Sequence, residues 1–175
     1  EKLRTHGPCK FMLIRGSPSI PEAAAVALYT PEGMIVHSGD FKLDPTPIDG
    51  RPTDLPAFAG LGRKGVRLLL SDSTNAERPG FEPSESSVGQ PIRDVIQSAE
   101  GRVIAACFSS HVHRVQQIAN AGIESGRKVA FFGRSMHKNT TIAGDLGLLD
   151  VPDGALVDIK ELKNFPEEKQ LLITT

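Results

Sequence analysis

From Val66 onward, short apolar runs alternate with stretches whose apolar residues recur at helical spacing, and this alternation constrains the architecture more than any other feature. Residues 66–70, 102–108, 128–132, 156–159 and 170–174 read as strands, the first of them as a buried one. Helices are expected between them, over about 84–99, 110–124 and 135–146. Pro91 falls inside the first of these, so that helix starts near Gln90 with Pro91 in its first turn. Strands separated by helices at this spacing imply βαβ crossovers and a mainly parallel sheet flanked by helices. The first third of the chain is different. Runs at 11–14, 23–30 and 33–37 read as strands, the last two joined by a tight turn at Pro31-Glu32-Gly33. Residues 44–63 carry four prolines and form a long irregular connection with one short helical turn at 55–61. The division between this β-rich part and the α/β part lies near residues 72–80.

Composition narrows the functional classes. With 175 residues, 39% hydrophobic and 23% charged, the chain can bury a core and is not a disordered segment. No apolar run approaches the roughly 18 residues that a membrane span needs. The opening Glu1-Lys2-Leu3-Arg4-Thr5-His6-Gly7 has neither an initiator Met nor a signal-peptide core, as expected of a piece of a longer protein. Cys9 and Cys107 are far apart and outside any CxxC spacing, so neither a disulfide framework nor a thiolate zinc site is suggested; a reducing, cytoplasmic setting follows. No Trp and a single Tyr argue against an aromatic surface for stacked bases.

Charge is unevenly distributed. Residues 101–139 hold six basic side chains (Arg102, Arg114, Arg127, Lys128, Arg134, Lys138) against Glu124 alone, whereas residues 140–175 hold seven acids against three lysines. A local positive field of that kind suits an anionic ligand, although solvated helix faces produce the same pattern.

Ligands of open parallel sheets bind at the carboxyl ends of strands, where the next helix presents free N–H groups. Three loops qualify: Ser71-Asp72-Ser73-Thr74-Asn75, Phe108-Ser109-Ser110-His111 and Gly133-Arg134-Ser135-Met136. The serines Ser109, Ser110 and Ser135 stand where helix N-caps are expected, and capping alone would account for them. Arg114, three residues beyond His111, lies on the same helical face, and Arg134 sits in the third loop. His111 and His113 are two apart, so on a helix they point in different directions and do not share a metal. Asp40, in His37-Ser38-Gly39-Asp40, and Asp72 are carboxylates just past strand ends, where one could bind a metal and the other assist proton transfer; Gly-Asp turns are also common without either role.

Several blocks together resemble the ribonuclease J family, metallo-β-lactamase-type enzymes with an inserted β-CASP domain. They are His37-Ser38-Gly39-Asp40-Phe41-Lys42, Asp49-Gly50-Arg51-Pro52-Thr53-Asp54-Leu55, Ser71-Asp72-Ser73-Thr74-Asn75-Ala76-Glu77, Cys107-Phe108-Ser109-Ser110-His111-Val112-His113-Arg114, Gly133-Arg134-Ser135-Met136 and Leu171-Leu172-Ile173-Thr174-Thr175. The resemblance implies residues 1–75 as the end of the first metallo-β-lactamase segment and 76–175 as an incomplete β-CASP domain. It implies a cytoplasmic, homo-oligomeric ribonuclease that cuts internally and trims from the 5′ end with two zinc ions. Asp40 matches the metal-bridging aspartate, Asp72 the acidic residue that supports proton delivery, and Ser109, Ser110, His111, Arg114, Arg134 and Ser135 fall in segments facing RNA. The family's His-x-His-x-Asp-His motif is not in the chain, and Pro18 stands where the family has a zinc-ligand histidine. The expected partners are therefore RNA and the remainder of the parent protein, with no membrane and no nuclease activity or zinc site in this chain alone. The rival reading is a degenerate, noncatalytic module of the same fold that binds a nucleotide or a protein partner.

Overall fold

The computed structural model describes residues 3–17, 20 and 22–175; Pro18 lies outside them. The chain forms two compact units that divide between Ser84 and Glu85.

In the first unit, β1 (Arg4–His6), β2 (Cys9–Arg15), β3 (Ala24–Thr30), β4 (Gly33–His37) and β5 (Leu68–Leu70) form one sheet in chain order. The first four are antiparallel, and β3 and β4 are joined by the expected tight turn, which takes only Pro31 and Glu32 because Gly33 already pairs with Thr30. Strand periodicity puts Ile14, Ala25, Ala27, Met34 and Val36 on one face, where they bury against Leu61 of α1 (Leu55–Lys64). The helix is longer than the single turn read from the sequence. Asp54 caps it by accepting the Ala57 N–H at 3.0 Å, Pro56 occupies its first turn, and Gly65 ends it at a φ of +89°. The chain then returns as β5, parallel to β4.

Two expectations for the run at 66–70 are corrected. It does not join the parallel sheet of the α/β part but pairs with β4, which makes this otherwise antiparallel sheet mixed. The run at 66–70 is not a buried strand: only Leu68–Leu70 are extended, and Leu69 is 59% exposed. β5 is a three-residue edge strand, and the core under α1 reaches no further than β4.

The second unit meets the βαβ expectation. It runs α2 (Gly89–Ser98), β6 (Val103–Ala106), α3 (Val112–Glu124), β7 (Lys128–Phe131), α4 (Arg134–Asp145), α5 (Ile159–Leu162) and β8 (Gln170–Thr174), with a 3₁₀ turn at Glu85–Val88 before α2. Pro91 lies in the first turn of α2. The sheet is wholly parallel in the order β6-β8-β7, so the last strand inserts between the two earlier ones. Leu171 and Ile173 of β8 are fully buried against Val115, Ile118 and Ala119 of α3 and Met136 of α4. A Cβ on Gly122 would collide with the Leu171 side chain, so α3 lies close against β8 there.

The strand expected at 156–159 is absent. Leu156 makes a single bridge to Val129, and Asp158 then accepts the Lys160 N–H at 2.7 Å, turning the chain straight into α5. Local capping by Asp158 outcompetes extension of the strand.

Arg127, 5% exposed, sits just past α3. Its guanidinium donates to the carbonyls of Ile96 and Ala99 at the end of α2, of Gly101 before β6, and of Gln170 at the start of β8. Arg127→Met leaves those four acceptors without the donor, and a loss of about 3–5 kcal/mol is expected. Denaturant unfolding, with amide exchange in α2 and β8, measures it; a loss below about 1 kcal/mol would show that water replaces the guanidinium at little cost.

Candidate functional site

β4 and β5 run side by side in parallel, with Val36 opposite Leu69, so their carboxyl ends open at the same edge of the first sheet. Ser38 joins the loops that follow. Its N–H donates to Leu70 O at 2.9 Å, and its hydroxyl accepts the Asp72 N–H at 2.9 Å while donating to Gly39 O at 2.7 Å. Gly39 turns at a φ of +61°, its N–H donating to His37 Nδ1 at 3.0 Å, and Asp40 follows on the surface.

The Asp72 carboxylate is held in an Asx turn. Its Oδ1 accepts the Thr74 hydroxyl at 2.6 Å and the Thr74 N–H at 3.0 Å. These bonds, the hydroxyl first, hold its carboxyl below the ordinary carboxylate range. Asp72 is therefore an anion at neutral pH, an acceptor and not a proton donor. Beside it opens a cavity of about 610 Å³ whose lining includes Lys42, Asn75, Arg78, Phe81 and Glu82. Asn75 donates to Glu82 at 2.9 Å, and Lys42 stands 3.9 Å from the same carboxylate.

In the second unit the parallel order β6-β8-β7 brings three strand ends to one edge. After β6, Ser109 is buried and its hydroxyl accepts from Asn139 Nδ2 of α4 at 2.9 Å. Ser110 is half-buried. Neither serine caps α3. The N-cap is His111, whose Nδ1 accepts the Arg114 N–H at 3.3 Å. After β7, α4 begins one residue earlier than expected, at Arg134, with Gly133 as its N-cap at a φ of +105°. Ser135 therefore lies within the first turn, 3.4 Å from the Thr175 hydroxyl beyond β8.

Two of the three expected loops thus belong to one parallel sheet; the Ser71–Asn75 loop follows β5 of the other sheet. The positive stretch is also mostly engaged internally. Arg127 is buried, and Arg102 binds Gln170 at 2.6 Å and Glu167 at 3.4 Å. Lys128 donates to Gly154 O and lies over the Phe165 ring. Arg114 donates to Glu85. Arg134 and Lys138 remain exposed, without ion pairs among the described residues, and at i and i+4 they share one face of α4.

Residues 100–175 match the family described as ribonuclease J, beta-CASP domain. The chain is 50% identical over 167 residues to ribonuclease J of Mycolicibacterium smegmatis, an alignment covering 95% of the chain and 30% of that relative. It is 48% identical over 163 residues to ribonuclease J of Thermus thermophilus, covering 93% of the chain and 28% of the relative. Residues 100–175 belong to the ribonuclease J beta-CASP family. The chain spans about 30% or less of the length of these relatives. A solved structure, a protein of unknown function from Enterococcus faecalis V583, shares the fold, with a TM-score of 0.65 over 99% of this chain and 43% of that one at 16% identity.

Ribonuclease J likeness raises the question of zinc. Among the described residues no group of three or more His, Cys, Asp and Glu side chains could hold a metal ion. Asp40 is a single carboxylate, and a zinc site takes about three protein ligands, so the described residues do not fit a complete set. No described helix is long and apolar enough to cross a membrane.

Two residues of these sites escaped the sequence reading. Lys138 had a visible signal, its position four residues after Arg134 on an expected helix. Glu85 had none, because its partners lie 26 and 29 residues away and only the fold brings them together.

Replacing the Thr74 hydroxyl should move Asp72. Thr74→Val is expected to raise the Asp72 carboxyl toward the ordinary range, read by NMR titration of its side-chain carbon. A depressed carboxyl favours the folded state at neutral pH and loses that contribution as pH falls through its folded pKa, so the variant should also lose part of its acid sensitivity. An unmoved titration would assign the depression to the backbone alone.

Proposed function

We propose that the chain contributes RNA binding and an acidic residue to a zinc-dependent ribonuclease that cuts RNA internally and from its 5′ end. The single observation that carries the RNA part is the exposed pair Arg134 and Lys138 on the opening turns of α4, at the carboxyl edge of a parallel sheet. A helix N-terminus favours phosphate, and two unpaired cations on one face add sequence-independent attraction. Ser135 lies in the same turn and offers a hydroxyl to the same backbone oxygens, while Ser109 and Ser110 shape the neighbouring strand end.

In this reading the first unit is a metallo-β-lactamase piece. Asp40 is one ligand of a zinc set that other parts of a ribonuclease J complete, and the chain alone is not a nuclease. Asp72, anionic and fixed by Thr74 and Ser38, orients a proton-bearing group on its neighbour and does not itself give up a proton. The protein works in the cytoplasm as a homo-oligomer.

The test is fluorescence anisotropy with a 5′-phosphorylated single-stranded RNA across a salt series. Binding is expected at low salt, with Arg134→Ala and Lys138→Ala each lowering the log–log salt slope by about 0.7, the value for one phosphate contact on a single strand. Failure to bind at low salt, or a slope indifferent to both substitutions, would overturn the RNA reading.

A further inference from the structure

Glu85 opens the 3₁₀ turn before α2, and its side chain reaches the start of α3. Its Oε2 accepts from Arg114 Nη2 and lies 3.3 Å from His111 Nε2. The three side chains are 21%, 26% and 12% exposed in the order Glu85, Arg114, His111. The Glu85 carbonyl also accepts from Gln117 Nε2 at 3.3 Å, so three side chains from the cap and first two turns of α3 converge on one residue.

The two ring nitrogens of His111 then have fixed tasks. Nδ1 accepts the Arg114 N–H and so carries no proton; Nε2 carries the proton and faces a carboxylate. Burial pushes the imidazole below its ordinary range while Glu85 pulls the other way. The ring is neutral, in its Nε2–H tautomer, and caps α3.

We infer that Glu85 is a positioning residue: it holds Arg114 and the Nε2–H of His111, and through them fixes the Ser109–His111 loop at the edge of the sheet. Arg114 is, by the same geometry, a positioning residue and not a phosphate contact. Its charge is neutralised by a largely buried carboxylate, whereas Arg134 keeps its own. The consequence for RNA rests on the proposed function above; the state of the His111 ring does not.

Two measurements on this chain decide the matter. The first is the nitrogen-15 spectrum of the His111 ring. Glu85→Ala removes the oxygen that faces the Nε2–H, so both ring nitrogen resonances are expected to move from the pure Nε2–H tautomer toward a mixture of the two, whereas Glu85→Gln keeps an accepting oxygen and should leave them in place. The second is RNA affinity against salt. Arg114→Lys is expected to weaken binding several-fold, because the shorter ammonium cannot hold the Ser109–His111 loop as the guanidinium does. The salt slope should stay unchanged in Arg114→Lys and in Arg114→Ala, because no phosphate contact is lost. Arg114→Lys keeps a cation, so unchanged affinity there would mark Arg114 as a simple phosphate contact and overturn the inference. A salt slope lowered by Arg114→Ala as much as by Arg134→Ala would do the same, as would unmoved His111 ring nitrogens in Glu85→Ala. If the parent chain binds no RNA, the RNA reading fails while the ring spectrum still decides what Glu85 does.

Discussion

A buried guanidinium holds the second unit in register. Removing an arginine from water is costly unless its donors are satisfied, and Arg127 meets most of that demand with backbone carbonyls: both terminal nitrogens donate twice, while Nε is buried without a partner among the described residues. Two of those carbonyls end α2, where the helix dipole leaves partial negative charge. The others belong to the approach to β6 and the first residue of β8. One side chain therefore ties four segments at the amino edge of the parallel sheet. That fixes the strands along their length and leaves the opposite edge, where the loops after β6, β7 and β8 emerge, as the place where sequence can vary into chemistry.

The first unit reaches a similar result with neutral groups. A parallel pair brings two carboxyl ends together without any connection between them at that edge, so the loops need a fastener. Ser38 supplies it with one hydroxyl that both accepts and donates. The Asp72 carboxylate is held further below its ordinary range by its own turn, mainly through the hydroxyl and N–H of Thr74, two residues on. This is a local device, encoded within three residues, and it makes the carboxylate ready for cations or donors before any ligand arrives.

Much of this architecture was legible. The alternation of apolar runs with helical periodicity specified the parallel sheet of the second unit because buried parallel strands and their crossover helices have distinct periods. Pro91 marked the start of α2 since proline fits only the first turn. What was not legible depended on competition or distance. Ser109, Ser110 and Ser135 have the right chemistry for caps, yet His111 and Gly133 hold those positions, because the strand ends lie one or two residues away from where apolar character stops. Residues 156–159 have strand composition, but Asp158 redirects the backbone. Leu68–Leu70 look like a core strand because apolar content reports burial only where something covers it. Asp40 was placed at its strand end correctly, although no motif within the chain supplies companions for it.

The charge pattern shows why residue counts mislead about ligands. Five net positive charges between residues 101 and 139 suggest a broad attractive field. In the fold, Arg127 faces carbonyls, Arg114 faces Glu85 from outside that stretch, and Arg102 and Lys128 bind segments beyond it. A cation already paired with a carboxylate contributes little to the potential felt by a phosphate, since the pair acts as a dipole whose field falls off faster than that of a charge. The field that remains belongs to α4, where Arg134 and Lys138 stand on one face beside a helix N-terminus. The positive potential at this surface thus rests less on how many basic residues the segment contains than on which of them the fold leaves without an internal partner.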